Sequence, residues 1–154
     1  MTVLNDEHAI GGMNMDKVII VGVDGSGTAT KAAQRAAELA AQSNSKLIVM
    51  IAFDQANIER IEVGDDVWVI SSHDEAEATA DTVARNLAEY GAEIEVVAMH
   101  GKPAESLVDE AKRRNASMIV VGNRRVQGIG RILGSVAASV AQHAPCDVYI
   151  VKTV

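Results

Sequence analysis

Five short apolar runs rich in β-branched residues recur along this chain, with helix-like segments between them: Lys17–Val23 (KVIIVGV), Lys46–Phe53 (KLIVMIAF), Glu93–His100, Ser117–Gly122 (SMIVVG) and Asp147–Lys152 (DVYIVK). Runs that stay apolar instead of alternating read as strands buried on both faces. The first helix is expected over Thr28–Ser43, with Ala29, Ala33, Ala36 and Ala40 on one face and Thr28 near its start as a cap. A second carries Ala76, Ala80, Val83, Leu87 and Tyr90, and Gly91 is placed to end it. The third begins at Pro103, which suits a first turn, and presents Ala104, Leu107, Val108 and Ala111. The fourth opens at Gly134-Ser135, carries Val136, Val140 and His143 or Ala144, and stops at Pro145. This alternation predicts an α/β protein whose parallel sheet is covered on both faces. Asp54–Ser72 shows no clean periodicity, although it contains Val67-Trp68-Val69-Ile70, and reads as a long loop.

A length of 154 residues allows one domain, expected over residues 16–154 behind a flexible N-terminal extension, 1–15. The hydrophobic share of 48% excludes low-complexity disorder, and the single Cys146 excludes a disulfide scaffold. Twenty-one acidic against fourteen basic residues leave a net charge of −7, the wrong sign for a protein that neutralises nucleic-acid phosphates, so any phosphate site must be local. No apolar run approaches the roughly 18 residues of a membrane span. Asp6, Glu7 and His8 stand where a signal peptide would be apolar, and the expected location is cytoplasmic.

Ligands of open α/β sheets bind beyond the carboxyl ends of the strands, where the strand order reverses. That rule selects Asp24–Gly27, the residues from Phe53 onward, His100–Lys102 and Gly122–Ser135. Gly22–Gly27 has the glycine spacing of a P-loop but lacks its lysine, and Gly25-Ser26-Gly27 opens a dinucleotide fingerprint whose last glycine is Thr30, so both motifs fail. Asp24, leaving an apolar strand, must find donors: a ribose hydroxyl or adenine amino group, or else the start of the first helix. Arg124, Arg125 and Arg131 lie between Asn123 and Gly134 without an acid, in a stretch that runs into a helix N-terminus. Guanidinium forks and unpaired N–H groups suit an anion there. A solvated basic loop with Ser135 as an ordinary cap is the other reading. The four histidines have no metal-ligand spacing, and His143 and Cys146 read as a helix end and a buried thiol.

Four markers stand in order at these strand ends: VGVDGS at Val21–Ser26, GKPAES at Gly101–Ser106, SMIVVGN at Ser117–Asn123, and LGSV at Leu133–Val136 followed by HAPCDVYIV at His143–Val151. In them the chain resembles a small single-domain universal stress protein over Lys17–Lys152. The resemblance implies a three-layer α/β/α open parallel five-stranded sheet of order 3-2-1-4-5, similar to adenine nucleotide α-hydrolases, with the reversal between strands 1 and 4. It implies an adenine nucleotide, ATP or AMP or else cyclic AMP, with Mg²⁺ accompanying ATP. Val23, Asp24 and Ala52 would meet adenine and ribose; Gly101, Gly122, Asn123, Arg124, Arg125, Gly128, Gly134, Ser135 and Val136 would meet ribose and phosphates. The family's loop has the form G-x2-G-x9-G-[ST]; here Gly122 and Gly134-Ser135 match its ends, Arg125 replaces the second glycine, and the loop is one residue short. The resemblance further implies a homodimer through Val148–Lys152 and a binding protein with at most slow, incidental ATP hydrolysis. Two other readings stay open: a nucleotide-free dimeric interaction module, and an adenylating enzyme.

Overall fold

The structure is a computed structural model that describes residues 17–53, 59–63, 66–70, 72–123 and 133–153. Five strands form a parallel sheet: β1 (Val18–Val23), β2 (Lys46–Phe53), β5 (Ile94–His100), β6 (Met118–Gly122) and β7 (Asp147–Val151). Their spatial order, β5-β2-β1-β6-β7, is the expected 3-2-1-4-5. The direction of chain progression reverses at β1, so the ends of β1 and β6 diverge and leave a crevice above them. Helices α1 (Gly27–Gln42), α2 (Ser72–Asn86), α3 (Pro103–Arg114) and α4 (Ser135–His143) alternate with these strands.

Successive strand residues feed two separate cores. Ile19, Val21, Leu47, Val49 and Val120 pack with α1 and α2, while Val18, Ile20, Ile48, Met50 and Ile119 pack with α3 and α4. Ile20, Val21, Leu47, Ile48, Val49, Ile119 and Val120 are fully buried, so the continuous apolar runs reflect a sheet with no solvent face. Helix α1 rests on Ala32, Ala33, Ala36, Ala37 and Ala40, all fully buried. Methyl groups let its axis approach β1 and β6 closely.

Three expectations are corrected. Helix α1 is capped by Ser26, not Thr28: the Ser26 backbone is extended and its Oγ accepts the Ala29 N–H at 3.2 Å. Ser26→Ala should lower stability by about 1 kcal/mol, the usual worth of such a cap, and hence the melting temperature by about 2–4 °C in thermal unfolding followed by circular dichroism. The stretch read as a loop holds an antiparallel hairpin, β3 (Glu59–Val63) and β4 (Asp66–Ile70), with Ile61 opposite Trp68. Two β-prone runs separated by a two-residue Gly-Asp connection are the sequence signature of this hairpin. Helix α2 begins at Ser72 and stops at Asn86, and Leu87 and Tyr90 belong to the start and end of the following 3₁₀ turn that Gly91 closes.

An ion cluster fastens the opposite end of the sheet. Glu110 of α3 is fully buried, and its carboxylate accepts Arg113 Nε at 3.0 Å and Arg114 Nε at 2.9 Å. Arg114 also donates to Glu95 of β5, which pairs with Lys46 Nζ of β2 at 2.7 Å. The Arg114 guanidinium, and then the Lys46 ammonium, hold the Glu95 carboxyl at about 2 against an ordinary 4.5. A lowered folded-state value adds stability that is complete above the ordinary value and is lost as pH falls from about 4.5 toward about 2. The stability difference between the parent and Glu95→Gln, read from urea midpoints, should therefore be constant near neutrality and shrink across that interval.

Candidate functional site

At the carboxyl end of the sheet each strand hands the chain to a turn that can carry chemistry. After β1, Asp24 is exposed, and its Oδ1 accepts the Ser26 N–H at 2.9 Å. This bond orients the Asp24-Gly25-Ser26 turn, in which Gly25 adopts φ 84. A side chain at Gly25 would be strained by that angle and would also meet Thr79 Cγ2 at 3.2 Å. Ser26 Oγ lies 3.0 Å from Thr28 Oγ1, so two hydroxyls share the first turn of α1.

Across the crevice, α4 starts at Ser135 with Gly134 as its cap residue and no side-chain cap. The first intrahelical bond runs from Ala138 N–H to Gly134 O. The N–H groups of Ser135, Val136 and Ala137 thus have no partner within the helix, and they carry the positive end of its dipole. Ser135 is the first helical residue, not the cap.

Between these two walls lies a cavity of about 590 Å³, within the span of ordinary small-molecule sites. Met50, Ala52, Leu107 and Val121 give it an apolar floor, Ser26, Thr28 and Ser135 bring hydroxyls, and Asp24 is its charged member among the described residues. The floor lies close against Gly22: a Cβ there would fall 2.9 Å from Leu107 Cδ1, so a side chain at this position requires Leu107 to shift.

Of the residues singled out in the sequence, Val23, Asp24, Ala52, Gly122, Gly134, Ser135 and Val136 line this one cavity. Gly101 and Asn123 stand outside the lining. Arg124, Arg125, Gly128 and Arg131 lie outside the described residues. Ser26, inside the selected Asp24–Gly27 segment, also lines the cavity, as do Gly22, Thr28, Ala29, Met50, Pro103, Leu107, Val121 and Ala137, which the sequence does not single out as site residues. Thr28 and Pro103 lie one residue beyond the segments that the strand-end rule selects. Met50 and Leu107 look like any core residue and carry no local signal.

His143 Nδ1 lies 2.9 Å from Ser139 O, and burial, then Asp147, pushes the Cys146 thiol up, so the pair shows no sign of an activated nucleophile. Among the described residues no three His, Cys, Asp or Glu side chains converge as metal ligands, and no helix is long and apolar enough to cross a membrane.

A parallel sheet of this order, with a ligand-sized cavity at its reversal point between the Asp24 turn and the start of α4, defines a doubly wound open α/β domain. The profile of the Universal stress protein family matches residues 15–152, and the chain belongs to that family. It is 33% identical to the universal stress protein Rv1636 of Mycobacterium tuberculosis, over 92% of this chain and 99% of that one. A universal stress protein crystallised in complex with cAMP superposes with a TM-score of 0.72 at 34% identity, over 90% of this chain and 98% of the other. The Archaeoglobus fulgidus universal stress protein in complex with dAMP gives a TM-score of 0.64 at 26% identity, over 88% and 98% of the two chains.

Proposed function

We propose that this chain holds an adenine nucleotide in the cavity between β1 and β6 and acts in a stress response as a binding protein, not as an enzyme. One observation carries the reading: a single cavity joins an apolar floor, suited to a purine, to three hydroxyls and the N-terminus of α4, which has no side-chain cap among the described residues and is suited to phosphate. The fold neighbours solved with cAMP and dAMP support it. In this assignment Asp24 and Ala52 address adenine and ribose, while Gly122, Gly134, Ser135 and Val136 address phosphate. The nucleotide is ATP or AMP, with cyclic AMP as the third candidate and Mg²⁺ accompanying ATP. The proposed setting is the cytoplasm.

A homodimer through Val148–Lys152 completes the proposal. β7 ends the sheet, and its Tyr149 and Ile150 are 37% and 36% exposed. An apolar edge of this kind favours pairing with a second copy. The same edge supports the alternative reading of a nucleotide-free dimeric module.

Mass spectrometry of the supernatant after heat denaturation should detect AMP, ATP or cyclic AMP. At a hundredfold excess over Kd the nucleotide should add about 2.7 kcal/mol, raising the melting temperature by about 5–10 °C. Asp24→Ala should weaken binding roughly tenfold to hundredfold, the worth of one hydrogen bond to a charged group. Absence of released nucleotide together with no thermal shift at millimolar ligand would sink the proposal.

A further inference from the structure

Asn123 follows Gly122 directly but does not line the cavity. Its Oδ1 accepts two hydrogen bonds from Thr153, one from the backbone N–H at 2.8 Å and one from the hydroxyl at 2.9 Å. The Asn123 N–H donates to Val151 O at 3.0 Å, so both the backbone and the side chain of this residue are tied to the chain around the end of β7. Thr153 is 7% exposed, although it lies just past the last strand.

The location of Thr153 gives these bonds their meaning. A Cβ built on Gly122 would sit 3.5 Å from Thr153 Cγ2, 3.6 Å from Thr153 Oγ1 and 3.6 Å from the Thr28 carbonyl oxygen. Gly122 and Thr28 both face the cavity, whereas Thr153 does not. Lys31 of α1 also reaches the Thr153 carbonyl, with Nζ at 3.5 Å. The threonine therefore fills the angle behind the wall where β6 meets α1, and the Asn123 carboxamide pins it there. A buried hydroxyl that loses its acceptor must move or stay unsatisfied, and Asn123, bonded to it and joined directly to Gly122 in the chain, would carry that shift to the wall.

We propose that Asn123 and Thr153 form a positioning pair that holds the Gly122–Thr28 wall at the spacing that receives the ligand's phosphate. This assignment rests on the adenine-nucleotide reading of the cavity. It separates the pair from residues that touch the ligand: the pair acts on phosphate through Gly122 and leaves the apolar floor under the purine unchanged.

The test is calorimetric titration of the full chain with AMP and with adenosine, for the parent, Thr153→Val, Thr153→Ser and Asn123→Ala. Thr153→Val keeps the backbone donor and the shape but removes one neutral hydrogen bond, so AMP affinity should fall roughly twofold to tenfold. Asn123→Ala removes both bonds and should cost more. Adenosine affinity should stay within about twofold in every variant, and Thr153→Ser, which restores the hydroxyl, should recover AMP binding. A purely structural role would weaken AMP and adenosine alike. Equal weakening of the two ligands, or unchanged AMP binding in Thr153→Val, overturns the pair while leaving the nucleotide reading intact. A parent that binds neither ligand overturns the pair, and overturns the nucleotide reading as well when ATP and cyclic AMP also fail to bind. If Asn123→Ala does not fold, the valine and serine variants decide the matter on their own.

Discussion

Arg114→Leu should lower the melting temperature by about 6–12 °C. Among the described residues, Arg114 is the one side chain that bonds both Glu110, which is fully buried, and Glu95. Removing one partner of a buried charge typically costs about 3–5 kcal/mol, because the remaining ion is left without compensation. Here Glu110 keeps Arg113 and Glu95 keeps Lys46, so the lower end, about 3 kcal/mol, is expected, and a domain of this size moves by about 2–4 °C per kcal/mol. Thermal unfolding at neutral pH checks the value. A shift under about 2 °C would mean that the remaining cations compensate fully. The Glu95→Gln background offers a second check: residues in one network are not additive, so the arginine replacement should cost less there than in the parent.

A size swap beneath the cavity should be compensatory. Leu107 is 3% exposed, and Leu107→Ala should cost about 2–5 kcal/mol through lost transfer energy and the space left behind. Gly22→Val should cost about 1–3 kcal/mol by overpacking, since even its Cβ would stand 2.9 Å from Leu107 Cδ1. It should also displace Leu107 from its place in the cavity floor and weaken nucleotide binding at least about tenfold, the equivalent of about 1.4 kcal/mol. In the double variant the new side chain occupies the vacated volume, so the combined cost should fall short of the sum by about 0.5–3 kcal/mol. Urea unfolding of the four proteins measures the coupling. Strict additivity would show that the contact between Gly22 and Leu107 does not govern this region.

Most of the fold was readable from local patterns. The strands show themselves because a sheet covered on both faces requires unbroken apolar runs such as Ile19–Val21 and Leu47–Ile51, and the small face of α1 was visible as spaced alanines. The strand order came from resemblance, since sequence spacing alone cannot say which side of β1 receives β6. The ion cluster escaped notice for a related reason. Glu95 sits in a mostly apolar strand and Glu110 in an ordinary helical charge pattern, and only the packing of α3 against β1 and β2 brings them together beside β5. The hairpin of β3 and β4 was missed because its runs are short, although the Gly-Asp connection marked it. At the candidate site, strand-end residues such as Asp24 and Gly122 are legible because topology alone sends them to one rim, whereas Ala52 came from the resemblance. Met50 and Leu107 reach the cavity from the body of the sheet and from a helix, and buried apolar side chains look the same in a list of residues whether they face a ligand or one another.

The clamp of Lys46, Glu95, Glu110 and Arg114 lies at the rim remote from the crevice, where the strands begin. Cohesion and recognition are thereby allotted to opposite poles of one small domain. A lineage could exchange the residues that meet a cargo molecule at the upper pole while the lower pole continues to secure the scaffold, so specificity is free to drift at little risk to foldedness.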